Sequence, residues 1–337
     1  MQSKNILIIG ANGQLGSVLT KELQSIYGKE SVIASDVFLD TEFDGIFEII
    51  DATDLDKINK IINKYSIKEI YHLAAILSAK GEEKPLWTWD LNIKMMLNVF
   101  EASRLNKVNK VFFPSSIAVF GDKAPLINTP QSAFLNPSTV YGISKAAGEN
   151  WAQYYFTKYG LDIRSIRYPG IIGYQSMPGG GTTDYAVDIY HSAVKNEIFS
   201  CFLDSETKLP MMFMSDAIRS TIEIMQSPIE NIKIRTSYNL AGMSFSPNQI
   251  YNEIKKSYPD FKIEYETDFR QNIANKWPKS IDDKQARNDW GWKPKFDLKS
   301  MTSIMLKKLK KNIIIKFKTI EYVRSNKIKS TKRIKRN

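Results

Sequence analysis

The stretch that most restricts the fold is the entry of a strand-like run, Asn5 to Ile9, into Gly10-Ala11-Asn12-Gly13-Gln14-Leu15-Gly16 and then into a helical pattern through Val18, Leu19, Leu23 and Ile26. A continuous β-branched, apolar run suits a central strand buried on both faces, which is the condition of parallel sheets. Glycines at the turn permit tight reversal and close approach of a pyrophosphate to the helix N-terminus. Placed between strand and helix, G-x-x-G-x-x-G predicts a dinucleotide cradle made by Gly10, Asn12, Gly13, Gln14, Leu15 and Gly16. A plain glycine turn is the alternative.

The following segments extend the same α/β alternation. A second strand, Ser31 to Ser35, ends at Asp36, twenty residues after Gly16. An acid at that distance holds an adenosine ribose hydroxyl, and its charge repels a 2′-phosphate, so the spacing favours NAD over NADP. A solvated loop aspartate is the competing reading. Asp51-Ala52 follows a third strand, Phe47 to Ile50, and is placed near the adenine. A helix over Leu55 to Tyr65 leads to the strand Glu69 to Leu73, which ends in Ala74-Ala75. Small residues there let a cofactor lie close, or else serve tight helix–sheet packing. A long helix, Trp87 to Leu105, carries Asn92 beside a core face of Leu91, Met95, Leu97 and Val99.

The chemistry is concentrated at two later points. The strand Lys110 to Pro114 ends in Ser115-Ser116, and Tyr141 and Lys145 stand four residues apart on the next helix, hence side by side on one face. A phenol titrates near about 10, so Tyr141 acts as a base at neutral pH only if a cation such as Lys145 lowers its pKa. Strand and helix both open on the same crevice at the sheet's carboxyl edge. A sixth strand, Asp162 to Tyr168, meets Pro169-Gly170 and closes a six-strand doubly wound pattern.

Taken together, the glycine motif, Asp36, Ala74-Ala75, Asn92, Ser115-Ser116, Tyr141-x-x-x-Lys145 and Arg167-Tyr168-Pro169-Gly170 resemble the extended short-chain dehydrogenase/reductase family, which includes the NAD-dependent epimerases and dehydratases. Three further segments resemble its short-chain L-threonine 3-dehydrogenase branch. These are Tyr168 to Gly173, Gly179-Gly180-Gly181-Thr182-Thr183-Asp184-Tyr185-Ala186 and Trp277 to Asp283. The resemblance implies a Rossmann-type sheet with a smaller lobe, and oxidation of L-threonine to 2-amino-3-oxobutanoate with hydride passing to NAD. Tyr141 is then the base, Lys145 its activator, and Ser116 the hydrogen-bond partner of the reacting oxygen, with Asn92 as an aid to proton relay. Leu73, Ser115, Tyr168 and Ile171 join the implied cofactor residues, and Ser78, Gly181, Thr182, Thr183 and Trp277 grip the amino acid. It also implies a homodimer through the helices Trp87–Leu105 and Tyr141–Tyr159.

Read on their own physics, Gly179 to Gly181 precede a helix that Thr182 or Thr183 could cap, with Asp184 in its first turn. Free amide groups there suit a substrate carboxylate, or the glycines form a hinge. Short elements Phe199 to Leu203, Ser215 to Gln226, Tyr238 to Leu240 and Pro247 to Tyr258 follow, with Trp290-Gly291-Trp292 packing them onto the body. The expected division is a NAD-binding body over 1–172 plus returning segments, a substrate lobe over 173–310, and a basic tail over 311–337.

The net charge of +11 suggests nucleic acid until it is located. From Lys307 onward there are 13 Lys and Arg against one acid, which leaves 34 basic and 35 acidic residues before it. The body is therefore neutral and has no nucleic-acid or membrane partner to expect. The tail's partner stays open between solvated disorder and contact with anionic lipid or RNA. One cysteine, Cys201, and two histidines, His72 and His191, are a meagre ligand set, so no metal is expected. No targeting signal or spanning run is visible, which favours a cytoplasmic location over the mitochondrial matrix. Two competitors remain: a sugar-nucleotide epimerase or dehydratase, and a non-catalytic NAD-binding regulator.

Overall fold

The fold comes from a computed structural model, which describes residues 5–40, 43–177 and 179–312. In chain order the first half runs β1 (Ile6–Ile9), α1 (Gln14–Tyr27), β2 (Val32–Asp36), β3 (Ile46–Ile49), α2 (Leu55–Tyr65), β4 (Glu69–His72), α3 (Ser78–Gly81), α4 (Pro85–Leu105), β5 (Lys110–Ser116), α5 (Val140–Tyr159) and β6 (Asp162–Tyr168). The second half runs β7 (Gly170–Ile172), α6 (Tyr185–Lys195), β8 (Phe199–Cys201), β9 (Leu209–Phe213), α7 (Met214–Gln226), β10 (Tyr238–Asn239), β11 (Met243–Phe245), α8 (Pro247–Lys255), β12 (Ile263–Tyr265), α9 (Phe269–Ala274) and α10 (Lys284–Trp290). A final helix, α11, covers 298–312.

Seven parallel strands form the main sheet in the order β3-β2-β1-β4-β5-β6-β10. Chain order reverses between β1 and β4, so the crevice that receives a ligand opens above those two strands. The glycine motif follows β1 and Leu73 to Ala75 follow β4, on either side of that point. Along β1 the pleat sends Ile6 and Ile8 to one face, packed with α1 and α7. Leu7 and Ile9 go to the other face, packed with α2 and α4. Burial on both faces is what the unbroken apolar run demanded.

The seventh strand corrects the six-strand expectation. Tyr238 and Asn239, expected in the lobe, pair in parallel with Ile166 and Arg167 at the edge of the main sheet. Tyr238 and Leu240 are fully buried with α7 and Trp292 in the core beneath that sheet. A two-residue strand carries too little periodicity to reveal which sheet it joins. The lobe proper holds two small sheets, β11-β9-β7 and β12-β8, around a separate core. Met301, Met305 and Leu309 of α11 are buried in that core. The expected basic tail lies, from residue 313 on, outside the described residues. Trp292 is fully buried, donates its indole N–H to Ala241 O at 3.2 Å, and stacks under the Arg219 guanidinium at 4.6 Å. Among the described residues, no helix is long and apolar enough to cross a membrane.

Candidate active site

The carboxyl end of β5 delivers Ser116, and the first turn of α5 brings Tyr141 beside it. Thr139 starts that helix by accepting the Gly142 amide on its hydroxyl oxygen at 3.1 Å. Gly142 allows the approach, because a Cβ there would stand 2.1 Å from the Ala118 carbonyl oxygen. Lys145 is 5% exposed, and its Nζ lies 4.6 Å from the Phe113 ring centre and 5.5 Å from that of Tyr141. Burial pushes the Tyr141 phenol up to about 12, against the pull of the Ser116 hydroxyl, and pushes the Lys145 amine down to about 7. His72 sits below them at the end of β4, where burial and the Lys145 charge push it down to about 3. Its Nδ1 is buried without a hydrogen-bond partner among the described residues. The imidazole therefore stays neutral at physiological pH and adds no repelling positive charge beside Lys145.

The glycine motif forms an anion cradle. Gly10 and Ala11 donate their amides to Ser35 O, each at 2.9 Å, which folds the turn over β2. Gly10 lies against the Ala74 amide so closely that a Cβ would be 2.6 Å from it. α1 begins behind Gly13, and no side chain caps its first turn. Those amides face the crevice as partial positive charge. Asp36 binds back to the turn, accepting from Asn12 N at 3.0 Å and Val37 N at 2.8 Å. This fits a dinucleotide, with open helix amides for the phosphates and a carboxylate beside them for a ribose.

A cavity of ≈ 260 Å3 joins this cradle to Ser116, Tyr141 and Lys145 and to the second half of the chain. Gly10, Gly13, Gln14, Leu15 and Gly16 line one end. Leu73, Ala75, Ser115, Tyr168 and Ile171 line its floor with Ser116, Tyr141 and Lys145. Ser78, Gly181, Thr182, Thr183 and Trp277 line the other end. Asn12, Asp36, Asp51, Ala52, Ala74 and Asn92 do not line it. Asn12 and Asp36 flank the cradle through their hydrogen bond. Asp51 is exposed and accepts from Thr53 N, and Ala52 is in the core. Asn92 clasps Ile76, accepting from its amide at 2.9 Å and donating to its carbonyl at 3.1 Å, so its side chain shapes the Ala75–Leu77 wall.

Two sequence expectations change. Thr182 and Thr183 do not cap α6; the chain enters it at Asp184, which makes no side-chain cap. The Gly180 and Gly181 amides are not free, because Asp184 Oδ2 accepts both, at 2.8 and 2.6 Å. A carboxylate three or four residues away reaches them before any ligand. What this end does offer is the Ser78 and Thr182 hydroxyls, 3.5 Å apart and buried, and the Trp277 indole N–H, buried without an acceptor among the described residues. Ser115, expected among the cofactor residues, lines the cavity, and its hydroxyl donates to Glu149 Oε1 at 2.6 Å.

The sequence reading missed Leu77, Pro114, Ile117, Pro169, Gly170 and Asp184 as lining residues, and Glu149 as the buried partner of Ser115. Pro169 and Gly170 had a signal in the motif that follows β6, and Glu149 had one in its place two helical turns after Tyr141. Among the described residues no three His, Cys, Asp or Glu side chains gather as a metal-ligand set.

Comparison with known proteins agrees with this geometry. The sequence model of the NAD dependent epimerase/dehydratase family matches residues 6–241. An uncharacterized epimerase/dehydratase of Staphylococcus aureus is 44% identical over 319 residues, covering 93% of this chain and 99% of its own. A solved partial-consensus L-threonine 3-dehydrogenase is 52% identical with a TM-score of 0.90, covering 91% of this chain and 99% of its own. A monomeric L-threonine 3-dehydrogenase from a metagenome is 46% identical with a TM-score of 0.89, over 91% of this chain and 99% of its own.

Proposed function

The chain belongs to the NAD dependent epimerase/dehydratase family, and from that premise we propose that it oxidises the 3-hydroxyl of L-threonine to give 2-amino-3-oxobutanoate. The observation that carries this reading is the single cavity in which Ser116, Tyr141 and Lys145 meet Ser78, Thr182 and Trp277. The cradle of Gly10 to Gly16 holds NAD, with Asp36 on its ribose. Bound there, NAD supplies the acceptor for the hydride from C3.

Tyr141 removes the hydroxyl proton, and Ser116 donates a hydrogen bond to the same oxygen as it becomes a carbonyl. Burial opposes charge on Tyr141 and on Lys145 separately. In the same low-dielectric setting, a phenolate and an ammonium side by side attract strongly, so the pair charges together more readily than either member alone. The substrate carboxylate falls to the Ser78 and Thr182 hydroxyls and the Trp277 N–H, since Asp184 already occupies the glycine amides.

The epimerase alternative needs room for a diphosphate, which calls for cations. Lys145 is the one cation among the residues lining the cavity, and it stands at the reacting centre. Purified protein is expected to form NADH with L-threonine and not with D-threonine or UDP-galactose, with L-serine slower. Turnover of the nucleotide sugar without threonine oxidation would overturn the proposal.

Asp36→Ala is expected to weaken NAD binding and raise the NADP/NAD preference, because it removes both the ribose acceptor and the charge that excludes a 2′-phosphate. Titration of both cofactors tests this, and an unchanged ratio would show that Asp36 does not face the ribose. Association of two copies through α4 and α5 belongs to the same proposal. Trp87, Leu105, Ile143, Trp151 and Tyr154 leave large apolar surfaces exposed on those helices. Light scattering on a size-exclusion column distinguishes a dimer of twice the 38.6 kDa chain from a monomer.

A further inference from the structure

Behind the catalytic face lies a charged cluster with no part in the chemistry described above. Glu149, on α5, is fully buried, and its Oε1 accepts from Ser115 Oγ at 2.6 Å and from Arg167 Nε at 2.9 Å. Oε2 accepts from Arg167 Nη2 at 2.7 Å. Arg167 sends its remaining arm, Nη1, to Asn239 Oδ1 at 3.0 Å and Gln131 O at 3.2 Å. Asn239, also fully buried, donates through Nδ2 to Thr129 O at 3.1 Å and Asp282 O at 3.3 Å. Every side chain from Ser115 to Asn239 in this chain of bonds is 4% exposed or less.

A buried ion pair gives little net stability, because desolvation offsets its attraction. What a two-pronged guanidinium–carboxylate pair does give is a defined geometry. That geometry bears on the site in three places. Glu149 shares a helical face with Tyr141 and Lys145. Ser115 is the neighbour of Ser116 on β5. Asn239 holds the carbonyl of Asp282, in the segment that begins at Trp277. One carboxylate thus ties the helix of the base to the strand of its hydrogen-bond partner, and through Arg167 and Asn239 to the wall beside the substrate.

We propose that Glu149 is a positioning residue that sets Ser116 against Tyr141 through Ser115 and Arg167. The inference rests on the proposed reading of Tyr141 as base and Ser116 as its partner. Glu149 does not line the cavity and takes no proton in the reaction.

The test compares Glu149→Gln, which keeps the shape and the acceptor for Ser115, with Glu149→Ala, which keeps neither. Expected is a graded fall in kcat for threonine, about 10-fold for Gln and about 100-fold for Ala, at nearly constant KM and NAD affinity. A merely structural role would lower the melting temperature and leave kcat per NAD-binding site unchanged, and that result overturns the proposal. Should both variants fail to fold, Ser115→Ala leaves the ion pair whole. A drop in kcat with KM for NAD unchanged supports positioning, whereas a rise in KM for NAD with unchanged kcat assigns Ser115 to the cofactor and overturns it. If the wild type oxidises no threonine, the functional reading fails by itself. Crystal structures of wild type and Glu149→Gln, or of Ser115→Ala if that is the variant that folds, then decide: a changed separation of the Ser116 and Tyr141 hydroxyls upholds the proposal, and an unchanged one sinks it.

Discussion

Replacing Tyr141 by Phe is expected to remove nearly all threonine oxidation, by about 10²–10⁴-fold in kcat, while NAD binds within about twofold of wild type. The ring stays on α5 and the Lys145 amine keeps its aromatic neighbour, but the group proposed to take the proton is gone. Burial holds the phenol high, so its proton-accepting form depends on the charge of the neighbouring Lys145, and no histidine lines the cavity to take over. The measurement is stopped-flow NADH formation alongside a binding isotherm for NAD. Turnover close to wild type would take Tyr141 out of the mechanism; loss of NAD binding would make it a cofactor residue instead.

Gly16→Ala and Gly13→Ala should differ in kind. A Cβ on Gly16 would stand 2.1 Å from the Gly10 carbonyl oxygen and 2.9 Å from the Ala11 Cα, both backbone atoms on the strand side of the turn. Neither can yield without moving α1 off β1, so the variant is expected to lose about 1–3 kcal/mol of stability and its NAD affinity together. At Gly13 the same Cβ meets only the Gly10 oxygen, at 3.3 Å, and the residue is exposed at the cradle. Gly13→Ala should therefore keep the unfolding midpoint and weaken NAD binding, since its methyl projects where a pyrophosphate must approach. Denaturant midpoints measured with and without NAD separate the two. Equal midpoints for both variants would show that the close packing at Gly16 is not what holds the turn.

Much of the site was legible because its signals are local. The glycine turn declares itself through neighbours on both sides, and the Asp36 spacing follows from the length of one helix and one strand. The Tyr141–Lys145 pair is visible because four residues is one helical turn. Reading failed where a side chain chose among partners close in space. Asp184 looked like a first-turn acid and proved to be the acceptor for two glycine amides. Ser115, expected among the cofactor residues, does line the cavity, but no local pattern showed that its hydroxyl would go to a carboxylate 34 residues away.

By itself, then, the sequence determined the doubly wound parallel sheet, the cradle after β1 and the pairing of phenol and amine. Strand and helix periods act over a few residues and need no distant partner to be read. Only the tertiary structure decided that Tyr238–Asn239 would finish the main sheet, that Trp277 would share a cavity with Tyr141, and that Glu149 would bind Ser115 and Arg167 together. Each of these depends on which surfaces meet once the helices pack, and burial then forces every charge and hydroxyl trapped between them to find a partner within reach.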